Sequence, residues 1–210
     1  MIFYDCATAP NPRRARMFIV EKGLDIETRE ISIAKGDQLN PDFLAVNPRG
    51  TVPVLVTEEG TVLAENLGIA AYLEAIQPEP NLMGRTPDEK GLVLMWNAIA
   101  ETQGGMAVAE ALRNGNPHMK GRAIPGTTNF EQIPELAERG LVRIDLFFEM
   151  LEKRLAESDW VALPDRLTLA DISTFVFVQF AKVTKKRIPE GNTATWTWHD
   201  RIAERPSAQA

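Results

Sequence analysis

Two short stretches carry residue types that could grip a peptide. The first is Asn47-Pro48-Arg49-Gly50-Thr51-Val52-Pro53-Val54-Leu55, and the second is Glu65-Asn66, which opens Leu67 to Leu73. Val52 precedes a proline, so it is pushed away from helix toward extended backbone. Pro53 has no N–H; it can begin a strand but not lie inside a central one. A proline at such a place often follows a cis bond, which would leave the backbone N–H and C=O of Val52 facing outward. Glu65 and Asn66 set a carboxylate and an amide at the start of an amphipathic helix. An amide both donates and accepts, and a helix N-terminus favours a ligand carboxylate. An extended edge beside such a helix start suits a peptide-like ligand. Pro53 alone reads as an ordinary turn proline; its spacing to Glu65-Asn66 argues for a site.

This pair of motifs resembles the glutathione transferase family. The resemblance covers nearly the whole chain, including a capping-box pattern at Thr168–Asp171 and the Glu-Arg-Pro-Ser stretch from Glu204 to Ser207. It implies that Val52, before a cis Pro53, bonds the cysteinyl backbone of glutathione. It implies that Glu65 and Asn66 hold the γ-glutamyl end, with Asn66 in place of the usual serine. Lys35, Gln38 and Asn40 lie where related proteins often reach the glycyl carboxylate; a loop lysine is otherwise simply solvated. The implied reaction is attack by the glutathione thiolate on a small hydrophobic electrophile. Glutathione is then a co-substrate, and no metal is required. A homodimer is also implied, burying apolar surface of a helix over 87–114 and of the 61–76 region.

A free thiol has a pKa of about 8.5, so only a few per cent is ionised at neutral pH. Lowering it by about two units requires roughly 2.7 kcal/mol. A helix N-terminus supplies about 0.3–1 kcal/mol, and one hydrogen bond to a charged group roughly 1.5–3 kcal/mol. A helix start plus one donor would suffice. Most classes of the family use a Tyr, Ser or Cys between the first strand and first helix. Here the segment reads Cys6-Ala7-Thr8-Ala9-Pro10-Asn11-Pro12-Arg13-Arg14. Counting back from Gly23, Ala9 falls on the serine position and Asn11 on the cysteine position. The segment is similar to the subgroup related to the second yeast glutathione transferase, which lacks the common side chain; a water held by helical-domain residues is thought to replace it. Three candidates follow. Asn11 could donate its amide or simply cap the helix. Thr8 carries the loop's hydroxyl. His118, in Asn114-Gly115-Asn116-Pro117-His118, could hold a water or be a surface histidine, and Asn116 competes for its place. Cys6 and Tyr4 read as core residues. Arg13 and Arg14 in a first helical turn oppose the helix dipole, which hints at a ligand or an acidic neighbour.

The elements that must position these residues are legible from periodicity. Residues 2–5 form a strand. Asn11 caps a helix with Pro12 at its first position, ended by Gly23. Ile26–Ile33 alternates as a strand, and Pro41–Val46 is a short helix. Val54–Thr57 and Thr61–Glu65 make a hairpin around Glu58-Glu59-Gly60. Asn66–Ile76 is a helix. The order βαβαββα predicts an α/β thioredoxin-like domain over 1–77. Gln77-Pro78-Glu79-Pro80-Asn81 interrupts both periodicities, giving a linker over 78–86. From 87 to 210 the pattern is all-α. A helix from Pro87 to Asn114 is loosened at Gly104-Gly105. Another spans Glu135–Glu157, a nearly all-apolar one starts at Leu169 and should be central, and a last one covers Trp196–Glu204. Met106, Leu112, Met119 and Phe130 are candidates for lining an electrophile pocket, or for core.

Composition bounds the function. The chain has 210 residues, 44% apolar and 25% charged, in the range of soluble globular proteins. A net charge of −6 does not favour nucleic acid. One cysteine allows no internal disulfide and points to a reducing compartment. No basic, apolar leader and no apolar run of membrane length is seen, so the expected location is cytoplasmic. Two histidines and one cysteine give no metal spacing. Other readings are a glutathione-assisted lyase, isomerase or peroxidase, and a non-catalytic binding protein of the same fold.

Overall fold

Strand alternation in Ile-Phe-Tyr-Asp decides how the first layers stack. The computed structural model describes residues 1–210. The chain divides into two compact units: Met1–Pro80 with Ile124–Asn129 and Ala210, and Asn81–Ala123 with Phe130–Gln209. The six residues from Ile124 to Asn129, grouped with the helical region on sequence, pack within the first unit. No helix is long and apolar enough to cross a membrane.

In the first unit, β1 (Ile2–Asp5), β2 (Glu27–Glu30), β3 (Val54–Val56) and β4 (Val62–Leu63) form one sheet in the order β2-β1-β3-β4. β1 pairs parallel with β2 and antiparallel with β3, and β3 pairs antiparallel with β4. Tyr4 lies opposite Val54 and Phe3 opposite Leu55. Successive strand residues face opposite sides, so both faces of β1 are covered. Tyr4 and Val54 pack with Phe43 of α2 (Pro41–Val46); the Tyr4 and Phe43 rings meet edge-to-face at 5.6 Å. α1 (Pro10–Glu21) and α3 (Asn66–Ile76) pack on each other and bury Met17, Phe18, Ile69 and Leu73.

The boundaries of α2 and α3 fall where the sequence pattern places them. The hairpin turn closes through Gly60 N–H to Thr57 O, with Gly60 at φ +83°. β2 is a correction. It spans four residues, not eight, and all four are exposed because it is the outer strand. Ile33 is drawn instead into a 3-10 turn, Ile33–Lys35, whose N-cap Ser32 accepts from Lys35 N–H.

The second unit is helical. α4 (Pro87–Ile99) runs through a π-helical segment, Ala100–Gly105, into α5 (Met106–Gly115). The interruption has a packing cause. A Cβ on Gly104 would lie 2.7 Å from the Phe147 ring, and one on Gly105 2.6 Å from the Phe177 ring. α6 (Pro134–Ala156) contributes Ile144, Phe147, Phe148 and Leu151 to the core. α7 (Leu169–Phe180) is buried at every position from Leu169 to Val178, the central place its apolar sequence requires. α8 is Thr193–Ala203, starting three residues before the expected Trp196. Glu152 extends it: its carboxylate accepts from Ala194 N–H at 3.1 Å and from Thr195 N–H at 2.9 Å, meeting orphan donors of the first turn. α9 (Pro206–Gln209) ends the chain.

Candidate functional site

The turn before β3 is built by Asn47. Its buried side chain donates to Thr51 O at 2.8 Å and accepts from Arg49 N–H at 3.2 Å. Gly50, at φ +62°, is needed there: a Cβ would meet Leu39 Cδ2 at 3.0 Å and Gln38 O at 3.2 Å. The turn therefore seats against the 38–40 segment. Val52–Pro53 is cis, and Pro53 is buried at the entry to β3. No hydrogen bond within the chain uses the backbone N–H or C=O of Val52.

Continued past Leu63, the β3–β4 register would set Glu65 opposite Pro53 and Asn66 opposite Val52. Glu65 is the N-cap of α3, and its exposed carboxylate pairs with Arg49 Nη2 at 2.5 Å. Asn66 is the first helical residue and is 7% exposed. Its Oδ1 is buried and has no hydrogen-bond partner. Gln38 Oε1 is in the same condition. A buried polar atom left unpaired costs about 1–3 kcal/mol, a cost that a ligand donor would remove. Lys35 is exposed at the end of its turn, and Asn40 is exposed as the N-cap of α2 without a side-chain bond.

The loop from β1 to α1 opens at the same end of the sheet, since Tyr4 lies opposite Val54. Two carboxylates fix it. Asp5 Oδ1 accepts from Cys6 N–H at 2.7 Å, and both Asp5 oxygens bond Arg16 Nη1. Glu30 accepts from Ala7 N–H at 3.1 and 3.2 Å. Cys6 is 1% exposed, with its sulfur 3.6 Å from Thr8 Oγ1. Thr8 itself is exposed.

Asn11 requires a correction. It is not the N-cap and Pro12 is not the first helical residue; α1 begins at Pro10 and is capped by Ala9 without any side-chain bond. Two prolines compete for the first position, and Pro10 takes it. Pro12 then sits at the third, where no intrahelical donor is required. This has a chemical consequence. Pro10 and Pro12 carry no N–H, and Arg13 N–H is already given to Ala9 O at 3.3 Å. The start of α1 thus presents a single free backbone N–H, that of Asn11. The Asn11 side chain is exposed, and its Oδ1 accepts from Arg14 Nη1 at 3.3 Å. That bond leaves Nδ2 as the outward donor. Burial, and then the Arg16 charge, lower Arg13 below the usual arginine value.

Residues 8–76 match the model of the glutathione S-transferase N-terminal domain, and residues 134–201 that of its C-terminal domain. Glutathione S-transferase 2 of Saccharomyces cerevisiae is 33% identical over 211 aligned residues, which span 100% of this chain and 88% of the yeast protein. The chain belongs to the glutathione S-transferase family. The crystal structure of Gtt2 from Saccharomyces cerevisiae superposes with a TM-score of 0.89 at 32% identity, covering 100% of this chain and 99% of that one. A glutathione S-transferase domain-containing protein of Marinobacter aquaeolei VT8 gives a TM-score of 0.87 at 31% identity, covering 99% of both chains.

As a glutathione S-transferase, the chain presents no Tyr, Ser or Cys side chain at the start of α1: the positions hold Ala9 and Asn11, and Cys6 is buried behind the loop. The positioning residues Asp5, Arg16, Glu30 and Arg49 escape sequence reasoning, because each acts across 11 to 23 residues of chain with no local pattern. In the helical unit, His118 is exposed in a 3-10 turn, Pro117–Met119. Its N–H donates to Asn116 Oδ1 at 3.0 Å and its carbonyl accepts from Arg122 Nη2 at 3.0 Å, leaving the ring uncommitted. Asn116, the competitor, has its side-chain oxygen engaged by that turn. Met106 and Phe130 are exposed, while Leu112 and Met119 are half-buried.

Proposed function

We propose that the protein conjugates the thiolate of glutathione to small hydrophobic electrophiles. The observation that carries this reading is the buried, unpartnered Oδ1 of Asn66 at the start of α3, beside the unused backbone of Val52. A peptide with an ammonium and a carboxylate at one end fits both needs. Asn66 Oδ1 and the Glu65 carboxylate would take the ammonium. The α3 N-terminus, with its orphan N–H groups, would take the carboxylate. Val52, ahead of Pro53, would pair with the cysteinyl backbone as one more strand. Lys35, Gln38 and Asn40 would hold the glycyl carboxylate. The thiolate is then met by Asn11, with Thr8 and a water placed by His118 as the other donors. Met106, Leu112, Met119 and Phe130 of the helical unit supply apolar surface for the electrophile. The exposed Leu92, Leu94 and Met95 of α4 and Val62 and Leu67 of the first unit match the surfaces a homodimer would cover. Such an enzyme serves detoxification in the cytoplasm.

The first experiment is retention on immobilised glutathione followed by turnover of 1-chloro-2,4-dinitrobenzene. Retention with turnover is expected. Retention without turnover leaves only a binding role, and loss of both removes the reading.

Glu65→Ala separates binding from folding. The Glu65–Arg49 pair is exposed on both sides, and such pairs contribute about 0–1 kcal/mol to stability. The melting temperature is expected to move by about 2–4 °C at most. Glutathione affinity should fall at least tenfold, the loss of about one charge-assisted bond. Unchanged affinity by calorimetry takes Glu65 out of the site.

A further inference from the structure

The last turn of α5 and the segment that follows it carry charge of one sign. Residues 111–130 hold Arg113, His118, Lys120 and Arg122 and no Asp or Glu. The chain as a whole has 29 acidic residues and a net charge of −6, so that window would hold about three acids at the average density. The cations are also unmet in space. Arg113 Nη1 donates to Arg122 O at 2.7 Å, and Arg122 Nη2 donates to His118 O at 3.0 Å. Both guanidinium groups thus use backbone carbonyls, and neither has a carboxylate within ion-pair distance. The acid one turn before Arg113, Glu110, is held by Arg139 at 2.9 Å and Arg143 at 2.8 Å. Arg113 is half-buried on the last turn of α5, and burial together with the Arg122 charge lowers it from the usual arginine value.

Like charges gathered on a folded loop cost free energy unless an anion joins them. A guanidinium presents five N–H donors in a fork that matches a carboxylate or sulfonate, and most of these ten donors are unused. The loop is well held, so the cluster is preorganised. Arg122 and Phe130 pair as a β-bridge, Phe130 N–H donates to Gly121 O at 3.1 Å, and Gln132 Nε2 ties Arg113 O and Asn116 O at 2.7 Å each. Phe130, 44% exposed, therefore stands at the bridge partner of Arg122. An apolar residue at the bridge partner of Arg122, with the Arg113 fork held on the Arg122 carbonyl, suits an aryl anion.

We infer that Arg113 and Arg122, with Phe130, form a binding site for the acidic group of an aromatic carboxylate or sulfonate, so that the favoured electrophiles are anionic aryl compounds. The inference rests on the reading that the helical unit takes the electrophile. A large polyanion is disfavoured by the overall negative charge.

The test measures binding without turnover, so it stands apart from the test of conjugation. Calorimetry on the full chain would compare 3,5-dinitrobenzoate with its methyl ester. The anion is expected to bind at least tenfold more tightly, and more weakly as salt rises. Arg122→Gln should abolish that preference, and Arg122→Lys should restore part of it. Arg122 is exposed, so neither variant threatens folding; unchanged ester binding verifies this. Equal binding of acid and ester by the wild type overturns the proposal, as does a preference that survives Arg122→Gln. Saturating glutathione should leave the affinity for the anion unchanged. Competitive displacement would assign the cluster to a glutathione carboxylate and overturn the proposal. In turnover, Arg122→Gln should lower kcat/KM for 4-chloro-3,5-dinitrobenzoate about tenfold and that for 1-chloro-2,4-dinitrobenzene less than twofold. Equal losses on both substrates would likewise count against it.

Discussion

Asp171→Ala is expected to destabilise the protein by roughly 3–5 kcal/mol, the largest effect of any single substitution argued for this chain. Asp171 is fully buried at the third position of α7. Its Oδ1 accepts from Val161 N–H at 2.7 Å and from Trp198 Nε1 at 3.1 Å. Its Oδ2 accepts from Thr168 N–H at 3.0 Å and from Thr168 Oγ1 at 2.8 Å. One carboxylate thus joins the loop before α7, the cap of α7 and the indole of α8. Burial raises this carboxyl above the usual carboxylate range, while the four donors act in the opposite direction. Alanine removes the desolvated charge, which recovers some free energy. It also leaves three buried N–H groups with no acceptor, at about 1–3 kcal/mol each; the Thr168 hydroxyl can turn elsewhere. The second term is the larger. For a chain of this size the melting temperature should fall by roughly 6–20 °C. Asp171→Asn keeps one acceptor oxygen for Val161 and Trp198 but sets an NH2 against the donors of Thr168, so its loss should be intermediate. A melting temperature within about 2 °C of wild type for Asp171→Ala, by calorimetry, would show that the network carries no net stability.

What was legible in the sequence divides by the range of the interaction. α2 and α3 appear at their expected bounds because their signals are local: Pro41 at a first helical position, and an apolar period running from Asn66. The hairpin that joins the two stretches was also legible, from the Glu58-Glu59-Gly60 turn between two apolar runs. The start of α1 was misplaced because Asn11 is a good cap by type, but Pro10 is a better first residue than Pro12. The extent of β2 was overestimated because Ile31 and Ile33 continue an alternation that the capped turn at Ser32 ends. Long-range pairs left no trace. Nothing near Ala7 announces that Glu30 takes its N–H, and nothing near Gly50 announces that Thr127 Cγ2 would lie 3.2 Å from a Cβ there. The residues proposed for chemistry were named from type and spacing. The residues that hold them in place were found from geometry alone.

Asn11→Ala is expected to lower turnover by roughly ten- to a hundredfold, the effect of about 1.4–2.7 kcal/mol at the transition state. The corrected geometry of α1 strengthens the reason. A helix start usually offers several backbone donors to an anion. Here two prolines and the Arg13–Ala9 bond leave one, Asn11 N–H. At the low end of their ranges the dipole and that single N–H supply about 1.8 kcal/mol, below the roughly 2.7 kcal/mol that two units of thiol pKa require. A second donor from a side chain would close that gap. Asn11 is the donor we propose: Arg14 holds its Oδ1 at 3.3 Å, so Nδ2 is the end left to donate. Its side chain makes no cap, and alanine is the better helix former. Stability should therefore stay level or rise slightly while turnover falls, a separation that a structural role would not produce. Cys6→Ala should keep most activity, because the sulfur is buried behind the loop and not at the helix start. The measurement is the pH dependence of turnover for wild type, Thr8→Ala, Asn11→Ala and His118→Ala. The apparent thiol pKa should rise by about one unit in Asn11→Ala and by less in the other two. A larger rise in Thr8→Ala or His118→Ala moves the donor to that residue. If all three variants keep the wild-type pKa, the stabilisation comes from outside these side chains, and the assignment of Asn11 fails.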